Sequence, residues 1–320
     1  MSGKKPYPRL DFSGATTMPL GARPSKVSKD LLAEPDAYTP AMARIEHLIP
    51  SVLAGRDIKR LADAWADAVR RGRAVVLGIG AHAVKVGLSR LIIDLLNRGY
   101  LQGLAGTGAV AIHDLEMAFN GQTSEDVTEG LQTGMFGMAD ETGRAYWDAV
   151  SLAARSDYGL GQALGRLISE TSAPHHSLSV YAAAYEREIP ATLHVAIGAD
   201  ITHMRPSSDG AALGLTAFRD FQVFSALMTG LDDGGLYVNL GSAVALPEVF
   251  LKAVNIARNL TGKPHRIVTA DLDMIRHYRP GQNVVARPTM PDGTGYRITG
   301  HHEIVFPLLY TMVRSRLERQ

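Results

Sequence analysis

The sequence predicts an α/β fold with a doubly wound, mostly parallel, Rossmann-like sheet. A buried apolar run at residues 74–77 passes through a glycine turn into a helical pattern, and a second such unit follows at 101–119. The same alternation of strand and helix then continues to the end of the chain. Successive units of this kind are typical of βαβ crossovers in a parallel sheet. We expect one Rossmann-like domain over residues 41–320, preceded by an extended N-terminal arm at residues 1–40.

The arm and the first helix come before the sheet. Residues 1–40 are rich in Pro, Gly, Ser and Thr and show no periodicity. Such a segment either lies across a neighbouring subunit or is disordered. Residues 41–71 carry apolar residues at helical spacing and predict a helix.

The next unit is the most informative part of the sequence. Ala74 to Leu77 predicts a buried strand, Gly78-Ile79-Gly80 a tight turn, and the residues from about Val84 a helix that ends near Gly99. A strand that enters a helix through glycines directs backbone N–H groups towards an anion, such as the phosphate of a nucleotide. The dinucleotide fingerprint is incomplete, because it needs a third glycine at fixed spacing and an acidic residue about 20 positions further on.

The remaining elements follow in order. A strand at 101–106 meets Thr107-Gly108-Ala109 and opens into a helix that reaches Phe119, and residues 121–145 predict a polar surface excursion. The other predicted helices are residues 146–167, 179–188, 218–231, 248–259 and 303–319, and the other predicted strands are 191–197, 236–240 and 266–270. Residues 198–214 and 276–296 predict loops.

Composition excludes several classes of function. The 320 residues include 33 basic and 32 acidic side chains, so no strong net charge attracts nucleic acid. The absence of cysteine excludes disulfides, thiolate metal sites and a cysteine nucleophile. No apolar stretch approaches the ~20 residues of a spanning helix, and no signal-peptide pattern follows the N-terminal charges. We expect a cytoplasmic protein that acts on a small molecule, without a nucleic-acid or membrane partner.

Polar side chains recur just after the predicted strands. In an open parallel sheet these positions share one edge, which is where ligands bind. The residues concerned are His82, His113, Asp200, His203, Ser242 and Thr269.

Several blocks resemble the deoxyhypusine synthase family. The C-terminal HHEIVFPLLYTMV is similar to that family's final helix entry, with its VFPLL. Residues 107–115 resemble its Thr-Ala-Gly-Gly-Val-Glu-Glu-Asp-Leu segment, and residues 208–210 resemble its Thr-Asp-Gly-Ser. Residues 241–244 stand where the family has Gly-Gly-Gly-Val, and residues 268–270 match its Asn-Thr-Ala. The resemblance covers roughly residues 70–315, and the VFPLL block argues against sugar-phosphate isomerase domains, which also use glycine-rich turns.

The resemblance implies a Rossmann-like fold, bound NAD and a homotetramer with sites at subunit interfaces. The family transfers the butylamine part of spermidine to a lysine through dehydrogenation and an enzyme imine. Asp209 is the matching carboxylate on the amine side. With Gly78 of the turn, the positions that the resemblance assigns to the cofactor are Gly80, Ser89, Thr107, Gly108, Ala109, Thr269, Ala270, His301 and His302.

Three departures indicate a rebuilt site. The stretch that matches the family's catalytic lysine is Val284 to Pro288, where the only cation is Arg287, and arginine cannot form a Schiff base at neutral pH. The family's Lys-His pair is replaced by Leu246-Pro247, and its amine-binding glutamate by His113. We therefore do not expect this chain to make deoxyhypusine.

Three hypotheses remain open for the rebuilt site. The first is an NAD-dependent enzyme acting on a small amine, hydroxy compound or anion, with His113 or His203 as general base. Asp114 and Asp209 are the other candidate catalytic residues. Lys85 or Lys252 would offer an imine route. The candidate substrate-binding residues are His82, Lys85, Asp200, Arg205, Ser242, Arg276 and Arg287. The second is a metal-assisted site built from His82, His113, Asp114, Asp200 and His203. The third is a sensor or pseudoenzyme that binds NAD or a metabolite without catalysis.

Overall fold

A parallel six-stranded sheet forms the centre of the molecule, and the computed structural model describes residues 9–318. Numbered along the chain, its strands are β2 Val75–Ile79, β3 Gly103–Thr107, β5 Ala191–His194, β6 Leu236–Leu240, β7 Val268–Asp273 and β8 Thr294–Thr299. A small antiparallel sheet pairs β1 Ser25–Ser28 with β4 Gln122–Glu125.

The order of strands across the main sheet is β5-β3-β2-β6-β7-β8. The chain starts in the middle at β2, proceeds outward to β5, and then returns to β6 on the other side of β2 before it proceeds to β8. All neighbouring pairs are parallel. This is the doubly wound order with its switch point between β2 and β6, and it confirms the predicted fold class.

Helices cover both faces of the sheet. Their bounds are α1 Leu53–Arg70, α2 Ala81–Lys85, α3 Ser89–Asn97, α4 Gly108–Asn120, α5 Val127–Thr133, α6 Asp140–Arg155, α7 Leu160–Glu170, α8 Val180–Glu186, α9 Gly210–Thr229, α10 Ala245–Thr261, α11 Tyr278–Pro280 and α12 His302–Glu318. A π-helix over Gly281–Ala286 follows α11.

The alternation of side chains along each strand builds two cores. Leu77 of β2 and Val238 of β6 belong to the core that includes residues of α1, α3 and α12. Val76 and Tyr237, the neighbours of those residues in sequence, belong to the core formed with α9 and α10. Both strands are therefore buried on both faces, as expected for the centre of a doubly wound sheet.

The N-terminal segment packs on its own chain. Met18 forms a bridge with Ala139, and Val27 of β1 lies opposite Thr123 of β4. Arg23, between these contacts, is only 7% exposed. The first eight residues of the predicted arm lie outside the described part of the chain.

Five sequence predictions of secondary structure need correction. The predicted helix at 41–71 is a 3-10 segment, Pro40–Leu48, followed by α1, because Pro50 has no N–H and cannot continue the helix. The predicted helix at 146–167 is divided between α6 and α7 by an extended break at Ser156. The predicted excursion at 121–145 contains β4 and α5.

The other two corrections concern the C-terminal strands of the main sheet, β7 and β8. The predicted loop at 276–296 contains α11 and the π-helix, and the edge strand β8 begins at Thr294. Strand β7 was predicted to end at Ala270 but extends to Asp273.

Among residues 9–318 no helix is both long enough and apolar enough to cross a membrane.

Candidate functional site at the carboxyl edge of the sheet

The ends of β2 and β6 approach each other closely at the switch point. The N–H of Gly80 donates a hydrogen bond to the carbonyl of Leu240 at 2.8 Å. A Cβ atom added at Gly80 would lie 2.1 Å from the carbonyl oxygen of Gly241, and Gly241 itself has a φ of +70°. Only glycine meets both conditions without displacing backbone. The two glycine turns together form the floor of a crevice, which we call the switch-point crevice.

Two imidazoles face each other at the switch-point crevice. The rings of His82 and His302 make an edge contact with their centroids 5.3 Å apart. His302 is 2% exposed, and neither of its ring nitrogens makes a hydrogen bond of good geometry, although the backbone of Leu272 lies near enough to raise its pKa slightly against the effect of burial. Burial lowers the pKa of His302, and its nearest carboxylate oxygen, on Asp273, is 3.8 Å away. A buried polar group without a partner is rare in native proteins, and an absent ligand is one physical explanation.

A buried polar layer lies beside these histidines. Asn239 at the end of β6 donates to the carbonyl of Ser242 and to the carboxylate of Asp271, both at 2.9 Å. Burial raises the pKa of Asp271 to about 6. The hydroxyl of Ser242 accepts a hydrogen bond from the N–H of Leu246, so it holds the turn before α10.

A cavity of about 230 Å³ opens next to the crevice, along the first turns of α4. Four of the residues predicted from sequence lie in its wall, namely Lys85, Ala109, His113 and Asp200. His82 and Lys85 are one turn apart on α2, so this short helix contacts both the crevice and the cavity. The other lining residues are Arg23, Ile112, Glu116, Ser124, Glu125, Val127, Phe136, Ala199 and Ile201.

His113 is held by a chain of polar contacts. Its Nδ1 lies 2.7 Å from the hydroxyl oxygen of Thr123, which donates to the carboxylate of Glu116 at 2.6 Å. Glu116 in turn lies 2.9 Å from the guanidinium of Arg23. Burial lowers the pKa of His113 to about 4, so the imidazole is neutral at pH 7.

Asp200 lies against the first turn of α4. A Cβ atom at Gly108 would be 1.9 Å from its Oδ2, and that oxygen is buried without a hydrogen-bond partner. Burial raises the pKa of Asp200 to about 6. The cavity therefore contains a carboxylate that changes charge near neutral pH.

Other predicted catalytic residues hold the structure together. Asp114 is fully buried and accepts hydrogen bonds from the hydroxyl of Ser179 and the N–H of Val180, which ties α4 to α8. Asp209 caps α9 by accepting from the N–H groups of Ala211 and Ala212.

Predicted residues of the 198–214 loop and of the π-helix also bind within the protein. The Nδ1 of His203 accepts from the N–H of Gly198, and the guanidinium of Arg205 donates to the carbonyls of Gly137 and Ala139. Arg287 donates to Asn283 at 2.7 Å. These bonds hold the guanidinium groups of Arg205 and Arg287 within the protein, and neither residue lines the cavity.

The predicted cofactor residues are spread through the sheet. Thr107 is the N-cap of α4, and His301 is exposed beside the buried His302. Gly78 gives room to Tyr237, whose hydroxyl would be 2.3 Å from an added Cβ. Ser89 is fully buried in α3. Thr269 and Ala270 are buried within β7 rather than after it, since that strand ends three residues later.

Sequence reasoning missed the groups that support the two histidines. Arg23, Glu116 and Thr123 were not selected, because their partners are distant in sequence and only the fold brings them together. Asp273 had a signal: the alternation in Val268–Asp273 is that of a strand continuing to the carboxyl edge.

Two observations bear on the metal hypothesis and on where the functional site lies. No group of three or more histidine, aspartate or glutamate side chains within residues 9–318 is arranged to hold a metal ion, so the geometry does not support the metal hypothesis. A larger cavity of about 610 Å³ borders the other end of β5, but its buried carboxylate, Asp220, already accepts from the N–H groups of Gly161 and Leu193. The carboxylate of Asp220 is thus satisfied, whereas His302 and Asp200 at the carboxyl edge keep buried atoms without partners.

Comparison with known proteins supports the fold. No family profile matches this chain, and no curated protein matches it in sequence. A conserved LOR/SDH protein from Methanococcus maripaludis S2 aligns with a TM-score of 0.51 and 17% identity, covering 85% of this chain and 73% of that one. A protein assigned as a deoxyhypusine synthase from Entamoeba histolytica aligns with a TM-score of 0.51 and 10% identity, covering 81% and 87%.

A longer protein also aligns. AgrE, in a ternary complex with ornithine and NAD+, matches with a TM-score of 0.49 and 12% identity over 90% of this chain and 34% of its own. The present chain thus spans about a third of AgrE. The likenesses to the Methanococcus maripaludis and Entamoeba histolytica proteins support a fold like that of LOR/SDH proteins and deoxyhypusine synthase, without a specific family.

Proposed function

We propose that this chain is an NAD-dependent enzyme that dehydrogenates a small hydroxy or amino compound. The switch-point crevice would hold the cofactor, and the cavity along α4 would hold the substrate. The observation that carries the proposal is His302, a 2% exposed imidazole with both nitrogens unpaired at the switch point of a doubly wound sheet. That point is where such sheets bind nucleotides.

The crevice fits a dinucleotide in part of its chemistry. The glycines at positions 80 and 241 allow close approach of a ligand to backbone, and His302 and Asn239 have buried polar atoms without partners. The usual acidic residue at the end of the second strand is replaced by Thr107, so the adenosine ribose would need a different contact. When bound, NAD+ would supply a hydride acceptor; His82, His302 and the turn at Gly241 are the residues placed to hold it.

The cavity supplies the groups for proton removal. Dehydrogenation of a carbinol or amine removes a hydride from carbon and a proton from oxygen or nitrogen, and Asp200 would take the proton. A base is most effective when its pKa lies near the working pH, and burial has brought Asp200 to about 6. His113 would accept a hydrogen bond from a second hydroxyl or ammonium group of the substrate, and Lys85 would pair with an anionic group on it.

Binding of NAD+ tests the cofactor assignment directly. We expect calorimetric titration of the purified chain with NAD+ to give saturable binding, and His302→Ala to weaken it at least tenfold. His301→Ala is a matched control, because it removes the adjacent but exposed imidazole, and it should stay within about twofold of wild type. Equal affinities in the two variants would contradict the assignment, and circular dichroism of each variant would establish that it folds.

Turnover separates an enzyme from a sensor. Incubation with NAD+ and a panel of hydroxy acids, alcohols and amines should raise absorbance at 340 nm, and Asp200→Asn should abolish that rise while binding of NAD+ persists. Binding without turnover across the panel would favour the sensor hypothesis. Native mass spectrometry of the same sample would reveal the bound cofactor and test the homotetramer that we propose from the family resemblance.

A further inference from the structure

The contacts around His113 determine which of its nitrogens carries the proton. Glu116 is 1% exposed and paired with the guanidinium of Arg23, whose side chain also reaches Glu125 at 3.2 Å. A carboxylate that pairs with a guanidinium accepts hydrogen bonds and donates none. The hydroxyl proton of Thr123 must therefore point at Glu116, 2.6 Å away.

The direction of the Thr123 hydroxyl determines the hydrogen bond between Thr123 and His113. A hydroxyl carries one proton, so the oxygen of Thr123 is left to accept from Nδ1 of His113, 2.7 Å away. His113 is then the Nδ1–H tautomer, and its Nε2 is a bare acceptor. No other side chain among residues 9–318 makes a hydrogen bond with this imidazole, which lies in the wall of the cavity.

We propose that Arg23, Glu116 and Thr123 are positioning residues that lock His113 as the Nδ1–H tautomer, so that the cavity selects ligands presenting a hydroxyl or ammonium proton to Nε2. The selection of substrate rests on the proposed function, because that function makes the cavity the substrate site. The tautomer of His113 is independent of the proposed function. Acceptor-only ligands such as ketones would face an unprotonated nitrogen and bind less well.

The tautomer is measurable without any activity. Nitrogen-15 NMR of histidine-labelled protein distinguishes a protonated from a bare ring nitrogen, and His113→Gln identifies the signals of His113 by their loss. We expect a protonated Nδ1 and a bare Nε2 at pH 7 in wild type. Thr123→Val removes the hydroxyl at nearly constant shape and should give a mixture of tautomers, whereas Thr123→Ser should restore the wild-type pattern.

Thr142 provides the matched control. It is also buried, and its hydroxyl also bonds to Glu116, at 3.4 Å, but it does not contact His113. Thr142→Val should leave the signals of His113 unchanged. Arg23→Met removes the ion pair that holds the carboxylate of Glu116 in place, and it should weaken the preference of His113 for the Nδ1–H tautomer. An Nε2–H tautomer in wild type, or equal effects of Thr123→Val and Thr142→Val, would overturn the lock.

The donor preference is tested with two probes that differ by two hydrogens. Butan-2-ol should shift the Nε2 signal of wild type in a saturable manner, and butan-2-one should shift it at least fivefold less at equal concentration. Equal shifts would overturn the selectivity. If wild type shows the Nδ1–H tautomer and the donor preference but no substrate turnover with NAD+, the tautomer lock would be supported and the proposed function would be contradicted.

Discussion

The carboxylate of Asp220 on α9 accepts a hydrogen bond from the N–H of Leu193 on β5 at 2.8 Å. The same oxygen accepts from the N–H of Gly161 at the start of α7, at 2.9 Å. One buried side chain thus joins the edge strand to the two helices beside it. Burial raises the pKa of Asp220 to about 7, despite the hydrogen bonds that favour the ionised form.

Stability should depend on pH through Asp220. Between pH 4 and 7 the folded chain keeps a proton on this group that the unfolded chain has lost, so raising the pH through this window lowers the free energy of unfolding. We expect the free energy of unfolding of wild type, minus that of Asp220→Asn, to fall by ~3–4 kcal/mol from pH 4 to 8. Urea unfolding at each pH measures it. A difference that stays flat with pH would contradict the prediction.

Removal of the hydroxyl of Ser179 should destabilise the junction of α4 and α8. This hydroxyl donates to Asp114 and accepts from the N–H of Ala182 at the start of α8. Ser179→Ala loses a cap and leaves a buried carboxylate short of a donor, which should cost ~1–3 kcal/mol. Denaturant unfolding measures the loss. The exposed Ser177→Ala should cost less than ~0.5 kcal/mol, and similar values for both variants would be evidence against this role of Ser179.

Two glycines should respond in opposite ways to alanine. At Gly80 the new methyl group would meet a backbone oxygen of Gly241, so Gly80→Ala should separate the ends of β2 and β6, destabilise the fold by ~1–3 kcal/mol and abolish binding of NAD+. At Gly214, exposed within α9, no atom lies within 4 Å of the new methyl. Gly214→Ala should stabilise the helix by ~0.5–1 kcal/mol. Melting temperatures and NAD+ titrations would check both, and unaltered binding in Gly80→Ala would be incompatible with a cofactor at the crevice.

The activity should decline as acid protonates Asp200. With its pKa raised to about 6, kcat/KM should be constant above pH 7 and fall tenfold for each pH unit well below 6. His113, with a pKa of about 4, stays neutral across this range and should not contribute. A pH profile from 4.5 to 9 measures the decline. Activity that stays constant down to pH 5 would instead transfer the role of base to His113.

Sequence periodicity was sufficient for the sheet but not for its edges. Strands such as Leu236–Leu240 are buried on both faces, and their continuous apolar runs predict them well. Strand β8 was missed because its residues, Thr294–Thr299, lie at the edge of the sheet and only Ile298 is buried. The helix at residues 41–71 was predicted too long, because the apolar spacing persists across Pro50 while the backbone hydrogen bonds do not.

The sequence predicts those residues of the candidate site that follow the ends of strands. His82, Lys85, His113 and Asp200 meet at one edge because they follow or border the carboxyl ends of neighbouring strands. The contacts that support these residues could not be predicted from the sequence, because the pairing of Arg23 with Glu116 depends on how the N-terminal segment crosses α4.

The five residues of α2 have a thermodynamic consequence. His82 at one end contacts His302 in the crevice, and Lys85 at the other borders the cavity. A molecule that displaces one end of so short a helix must also move the other. Occupants of the two compartments would therefore alter each other's affinity, and by linkage the factor must be the same in both directions.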